Sequence, residues 1–239
     1  MRNDVSYSRH VVTTITMTTW NCRSGSMAER LRALEPISPD VLFLQECRPD
    51  SATDGFTTSA VNAHKGIALG SPSGRFTVTP VPIRKAAGAA VLAATFAGPV
   101  TMTVIGVWAQ GRGYVADVLR TVDAYRDVLR SGNAVVLGDF NSGTRLRATP
   151  TQNNGHARLL DAFTDVGLVS AYHVFHGVEH GRERHATYRH RFNDEDRWHI
   201  DFCFVPSAWA DRIASVDVLD GLAWRDTSDH HPVVVTVTI

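Results

Sequence analysis

The chain has 239 residues, of which 44% are hydrophobic and 20% charged, enough to bury the core of one domain or of two small ones. Lys plus Arg number 24 and Asp plus Glu also 24, so no overall field draws the protein towards nucleic acid or an anionic membrane. No block of like charge, low-complexity tract or Pro/Gly-rich linker divides it, and the expectation is a flexible segment over 1–10 followed by a single domain over 11–239.

The first residues are polar and lack the apolar run of a signal peptide, which makes the cytoplasm the expected compartment. Val11 to Trp20 is rich in Thr, Val and Ile and reads as a strand, and Ser26 is placed to cap a short helix reaching about Leu34. Val41 to Gln45 is a short, mostly apolar run, hence a buried strand. Ile67 to Leu69, Phe76 to Val81, Ala89 to Phe96 and Val100 to Trp108 follow as strands between Gly and Pro signals. From Tyr114 to Leu129, Val115, Val118, Leu119, Val122, Tyr125 and Leu129 recur at helical spacing and cover one face. Ala134 to Leu137 is another apolar strand, His156 to Val166 an amphipathic helix, and Ile200 to Val205 and Val233 to Ile239 are later strands. Many strands with few helices between them favour an α+β fold of two packed, largely antiparallel sheets flanked by helices.

Cys22, Cys47 and Cys203 are odd in number and widely spaced, which suits buried reduced thiols better than disulfides or a CxxC zinc site. No stretch approaches the ~18 apolar residues a membrane span requires. A basic stretch, Arg182, Arg184, Arg189 and Arg191 with His185, His190 and His199, reads as a solvated loop, with a phosphate-rich ligand as the alternative.

Chemistry collects at strand ends. Asn21 closes the first strand and Glu46 follows the apolar run Val41-Leu42-Phe43-Leu44, where an unpartnered charge costs several kcal/mol and a bound cation would stabilise it. In Gly138-Asp139-Phe140-Asn141, strand alternation puts Asp139 and Asn141 on one face and Phe140 into packing, a pair suited to orienting a water. Ile200-Asp201-Phe202 again sets an acid between apolar neighbours. In Ser228-Asp229-His230-His231-Pro232 the adjacent histidines face opposite ways, so one of them is support.

This ordered set resembles the endonuclease/exonuclease/phosphatase superfamily over nearly the whole chain, from Trp20 to Pro232. The resemblance implies a four-layer αββα sandwich, with two mainly antiparallel sheets face to face and helices outside, and 11–239 as the catalytic domain. It implies Mg²⁺ or Mn²⁺ held by Glu46 with Asn21 and Asp229, water activated by Asp139, phosphate and the Asp139 carboxylate held by Asn141, and phosphoryl charge stabilised by His230 oriented by Asp201. The implied activity is hydrolysis of a phosphoester by in-line attack of water, of phosphodiesterase or nuclease type. The alternatives are a phosphomonoesterase, a lipid phosphodiesterase or an inactive binding module. Nucleic acid is a candidate partner; no protein partner is inferable.

Trp108 stands where many relatives carry a His or Tyr that contacts the phosphate or leaving group. Its indole cannot transfer a proton at neutral pH, and the expectation is an apolar face against substrate. Thr187, Tyr188 and Arg189 lie where relatives often place substrate contacts. His173, His176, His180, His185, His190 and His199 lack regular spacing and read as surface or hydrogen-bonded groups, with a second metal site as the alternative.

Overall fold

The computed structural model describes residues 13–48, 54–84, 87–111, 113–146 and 155–239, so the whole segment expected to be separate at 1–10 and the start of the first strand lie outside the described residues. In chain order the strands and helices are β1 (Thr14–Asn21), α1 (Met27–Leu34), β2 (Val41–Cys47), β3 (Phe56–Ala60), β4 (Gly66–Gly70), β5 (Thr77–Val81), β6 (Ala90–Ala97) and β7 (Thr101–Trp108). There follow α2 (Tyr114–Ala124), α3 (Arg126–Leu129), β8 (Ala134–Asp139), α4 (His156–Asp165), β9 (Leu168–Ser170), α5 (Ala171–His176), β10 (Tyr188–Arg189) and β11 (Arg197–Trp198). The chain closes with β12 (Asp201–Pro206), β13 (Ile213–Val218), α6 (Leu222–Arg225) and β14 (Val233–Thr238).

Two six-stranded sheets run in the orders β13-β14-β1-β2-β4-β3 and β5-β6-β7-β8-β12-β9. Every neighbouring pair is antiparallel except β1–β2 and β7–β8. Alternation along these strands sorts the apolar side chains into layers. Met17, Phe43, Leu69, Ala94, Val104, Leu137, Cys203 and Val235 meet in one core between the sheets. Gly106 permits that approach, because a Cβ there would lie 2.4 Å from the Phe43 ring.

The outer faces carry the helices. Val107, Val136, Phe202 and Phe204 pack against Val118, Val122, Leu159 and Phe163 of α2 and α4. On the other sheet Trp20, Leu42 and Leu44 pack against Met27 and Leu34 of α1, whose cap Ser26 accepts the Glu29 amide as its position predicts. The result is the four-layer sandwich that the strand count and the resemblance led us to expect.

Three short elements carry little periodic signal: the half-exposed edge strand β3, the three-residue β9 and the six-residue α5. The single helix expected from Tyr114 to Leu129 is divided at Tyr125, which leaves helical geometry at φ −109°, ψ 15°. Its ring is fully buried and its hydroxyl accepts the Arg84 amide at 3.2 Å. The three cysteines are buried and form no disulfide, as the spacing suggests. No helix among the described residues is long and apolar enough to cross a membrane.

Phe140 centres an aromatic cluster under the second sheet, 5.5 Å from Phe202, 5.7 Å from Phe204 and 5.9 Å from Phe163. Phe140→Ala is expected to cost ~3–5 kcal/mol of folding free energy, read as a lower urea midpoint at unchanged m.

Candidate active site

Because β1 is parallel to β2 and β7 to β8, the C-terminal ends of these four central strands lie at one edge of the two sheets. β12 runs antiparallel to β8 with Asp201 directly opposite Asp139, and β14 runs antiparallel to β1, so Asp201 and His230 enter the same edge from their own N-terminal sides.

Local backbone aims each group. Glu46 is the extra residue of a bulge between Gln45 and Cys47, at φ 56°, which turns its carboxylate out of the pleat. Asp139 follows Gly138 (φ 148°), where a Cβ would lie 1.8 Å from the Val107 carbonyl oxygen, so only glycine fits. Asn141, at φ 47°, turns back on Asp139: its amide N–H donates to Oδ1 at 2.9 Å and its Nδ2 to Oδ2 at 3.2 Å.

Asn21 joins the sheets, its Nδ2 donating to Asp139 Oδ2 at 2.9 Å and to Glu46 Oε1 at 3.3 Å. His230 Nδ1 sits 3.0 and 3.2 Å from the two Asp201 oxygens, and its Nε2 4.0 Å from Asp139 Oδ2. Ser228 fixes this end, donating to the Asn21 carbonyl at 2.8 Å and accepting the His230 amide at 3.0 Å. His231 turns to the other side, where its amide donates to the Thr187 carbonyl at 2.7 Å, so His230 is the histidine in the site and His231 the support. Asp229 lies near the rim, 3.7 Å from Arg23 Nε.

The segment 187–189 departs from the expected substrate contacts. Thr187 is fully buried and donates to Asp201 Oδ2 at 2.6 Å, while its oxygen accepts the amides of Ile200 and Asp201 at 3.0 Å each. Arg189 is also buried, its Nη2 donating to the carbonyls of Arg225 at 2.5 Å and Ser228 at 3.3 Å. Extended backbone turns both inward and Tyr188 outward. Only Tyr188 faces the site, its ring 4.5 Å from that of His230. Burial and the carboxylates of Asp229 and Asp139 push its phenol up to about 12, so it stays protonated. Trp108, beside Asp139 in register, is 6% exposed and belongs to the core between the sheets, which leaves little of its face for substrate.

Lys65, just before β4, has no motif to announce it, yet its ammonium pairs with Glu46 Oε2. Strand pairing brings it there, with Gly66 opposite Cys47. Arg23 reaches Asp229 in the same way, from a turn residue at φ 47°.

A cleft of about 750 Å³ opens beside these groups, lined by Asn141, Tyr188, Tyr114, His190, Asp196 and Trp198 among others. The edge thus carries an ionisable oxygen in Asp139 and an imidazole in His230, with the Glu46 carboxylate tied to Asp139 through Asn21 and Asp229 beside His230 at the rim. This oxygen-rich set suits a hard divalent cation, and the Lys65 ammonium on Glu46 shows that a positive charge is accommodated there.

Burial and the neighbouring Asp201 raise the Asp139 carboxyl from 3.8 to about 7. Burial pulls His230 down, but Asp201 and Asp139 outweigh it and lift the imidazole to about 9. Between pH 3.8 and about 7 the folded protein holds a proton on Asp139 that the unfolded chain releases, so this group lowers stability as pH rises. In chelator, Asp139→Asn is therefore expected to gain stability relative to wild type as pH rises from 3.8 through about 7. The gain should vanish below the ordinary carboxylate value of 3.8, as read by urea denaturation across pH.

The sequence profile described as Endonuclease/Exonuclease/phosphatase family matches residues 18–230. No curated protein matches the chain significantly. Among solved structures, a 3′-5′ exonuclease (NExo) from Neisseria meningitidis is 22% identical with TM-score 0.70, the match covering 92% of this chain and 98% of that one. A structure described as 3′ phosphatase NExo from Neisseria bound to product DNA hairpin is 22% identical with TM-score 0.64, again over 92% and 98%. An AP endonuclease from Archaeoglobus fulgidus is 19% identical with TM-score 0.65, over 94% and 100%.

Proposed function

Because this chain belongs to the endonuclease/exonuclease/phosphatase family, whose enzymes are metal-dependent phosphoester hydrolases, we propose that it is a phosphodiesterase acting on nucleic acid. The observation that carries the catalytic reading is the convergence of Asn21, Glu46, Asp139, Asn141, Asp201 and His230 from both sheets, in two hydrogen-bonded groups that Ser228 links. The nucleic-acid reading rests on the adjoining cleft, whose walls offer the rings of Tyr114, Tyr188 and Trp198 for stacking on bases or sugars. Structural neighbours described as an exonuclease, an AP endonuclease and a 3′ phosphatase on a DNA hairpin support the same class of substrate.

Glu46, with Asn21 and Asp229, would hold Mg²⁺ or Mn²⁺, which supplies polarisation of the phosphoryl group and neutralisation of the charge developing there. The residues of the chain do the rest. Asp139 accepts the proton of the attacking water as the new phosphorus–oxygen bond forms. Asn21 and Asn141 hold its carboxylate in place through Nδ2. His230, kept positive by Asp201, donates from Nε2 to a phosphoryl oxygen, and Thr187 holds Asp201 for that task. The ester oxygen leaves opposite the water and takes its proton from solvent.

Chelator is expected to abolish turnover of a DNA duplex carrying nicks, an abasic-site analogue or 3′-phosphate ends, and magnesium or manganese to restore it. Cleavage of phosphodiesters but not of 3′-phosphates supports the proposal, whereas release of inorganic phosphate alone would reassign the enzyme as a phosphomonoesterase. Asp139→Asn and His230→Ala should each lower kcat by roughly 10² to 10⁴ in folded protein, and Thr187→Val by less because it acts through Asp201. Wild-type rates in all three variants would remove this edge as the catalytic site.

A further inference from the structure

A second group of chemistry-bearing side chains gathers around the Phe202 ring, and the proposed hydrolysis uses none of it. His199, just before β12, lies 5.1 Å from that ring and His156, at the start of α4, 5.5 Å. His173 of α5 and His180 of the following loop each lie 6.2 Å from it. His156, His173 and His199 are more than nine-tenths buried.

Three of these rings are held by one nitrogen and present the other. His156 Nδ1 meets Ser142 Oγ at 3.1 Å, His173 Nδ1 meets Ser170 Oγ at 2.7 Å, and His199 Nδ1 meets the His185 carbonyl at 2.9 Å. A carbonyl only accepts, so His199 Nδ1 carries the hydrogen and, in the neutral ring, Nε2 carries a lone pair. That Nε2, His156 Nε2 and His180 Nδ1 are all buried without a hydrogen-bond partner. Each such orphan carries a desolvation penalty that a bound ion would relieve. His173 Nε2 faces Glu183 Oε1 at 3.1 Å, and the ligand atoms of His173, His180 and Glu183 all lie within 4.8 Å of one another.

Burial keeps His156 and His199 at about 4 and His180 at about 3, so these imidazoles are neutral, as a metal ligand must be. Burial raises the Glu183 carboxyl, but the hydrogen bonds from His173 and the Gly181 amide outweigh it and hold it at about 2, hence ionised. Imidazoles whose second nitrogen is fixed by an oxygen, gathered round one carboxylate, are the usual surroundings of a transition metal. Nitrogen donors favour zinc over magnesium.

We infer that His173, His180 and Glu183, with the free Nε2 of His156 or His199 as the fourth donor, form a structural zinc site separate from the hydrolytic edge. A surface groove lined by Ser170, His173, His180 and Phe204 gives the ion a way in. Closing on it requires the stacked rings of His173 and His180, now 3.4 Å apart, to splay. The ion ties α4, α5 and the 177–183 loop to the segments that carry Asn141, next to Ser142, and Asp201, two residues past His199.

The test uses the full chain without an affinity histidine tag, grown with zinc and dialysed into metal-free buffer. Wild type and Glu46→Gln are expected to retain about one zinc per chain by mass spectrometry of the metal, and to show the visible ligand-field bands of tetrahedral cobalt after exchange with Co²⁺. His180→Gln, at the more exposed ligand, should lose at least nine-tenths of the zinc and the cobalt bands while keeping its circular dichroism. Added zinc should raise the melting temperature of metal-free wild type but not of His180→Gln. Wild type that holds no zinc and gives no cobalt bands on reconstitution would overturn the proposal. So would zinc that His180→Gln and His199→Gln both keep and Glu46→Gln loses.

Discussion

Two carboxylates stand directly opposite each other on neighbouring strands, fully buried, and the edge of the molecule is organised around making that arrangement tolerable. Like charges in register repel, and each charged carboxylate loses its water. The second sheet supplies Asp139 and Asp201; the His230 imidazolium and the Asn21 amide of the first relieve them, together with Asn141 and the Thr187 hydroxyl. The site is therefore also a clasp between the sheets. Burial and the neighbouring Asp201 raise the Asp139 carboxyl to about 7.

The backbone supports this clasp with strain. Glu46 and Asn141, both at positive φ, occupy a region that non-glycine residues adopt at a cost on the order of 1 kcal/mol each. Neither would be aimed at the edge by a regular strand: Glu46 owes its direction to the bulge, Asn141 to the turn that follows β8. Both conformations are secured by hydrogen bonds of the same groups, from Asn21 to Glu46 and from Asn141 back to Asp139.

Around that set lies a layer whose work is positioning. The extended run 187–189 pairs with 229–231 through the amides of Arg189 and His231. It thereby places a hydroxyl on Asp201, a phenol ring on His230 and a guanidinium on the carbonyls just before Asp229. One strip of chain thus sets the position and rotation of the imidazole. Around Phe202, next to Asp201 on β12, a set of neutral imidazoles holds unpaired nitrogens that neither packing nor the hydrolytic site explains.

Much of this was legible in the sequence. The apolar runs at Val41 and Ala134, the alternation through Asp139-Phe140-Asn141 and the opposed pair His230-His231 state which side chains leave a strand end together, because alternation is a property of the strand itself. The two packed sheets followed from the density of such runs. The ordered motifs from Trp20 to Pro232 pointed to a set of site residues, six of which the fold gathers in two hydrogen-bonded groups linked by Ser228. What the tertiary structure decided is whatever depends on strand pairing. Lys65 meets Glu46 only because β4 lies beside β2, and Thr187 and Arg189 face inward only because their segment pairs with 229–231. Trp108 is core because β7 lies at the centre of its sheet, and His156 joins His173, His180 and His199 only where α4 and α5 pack beside β12. Local periodicity tells a residue which side to face; only the fold determines what stands on that side.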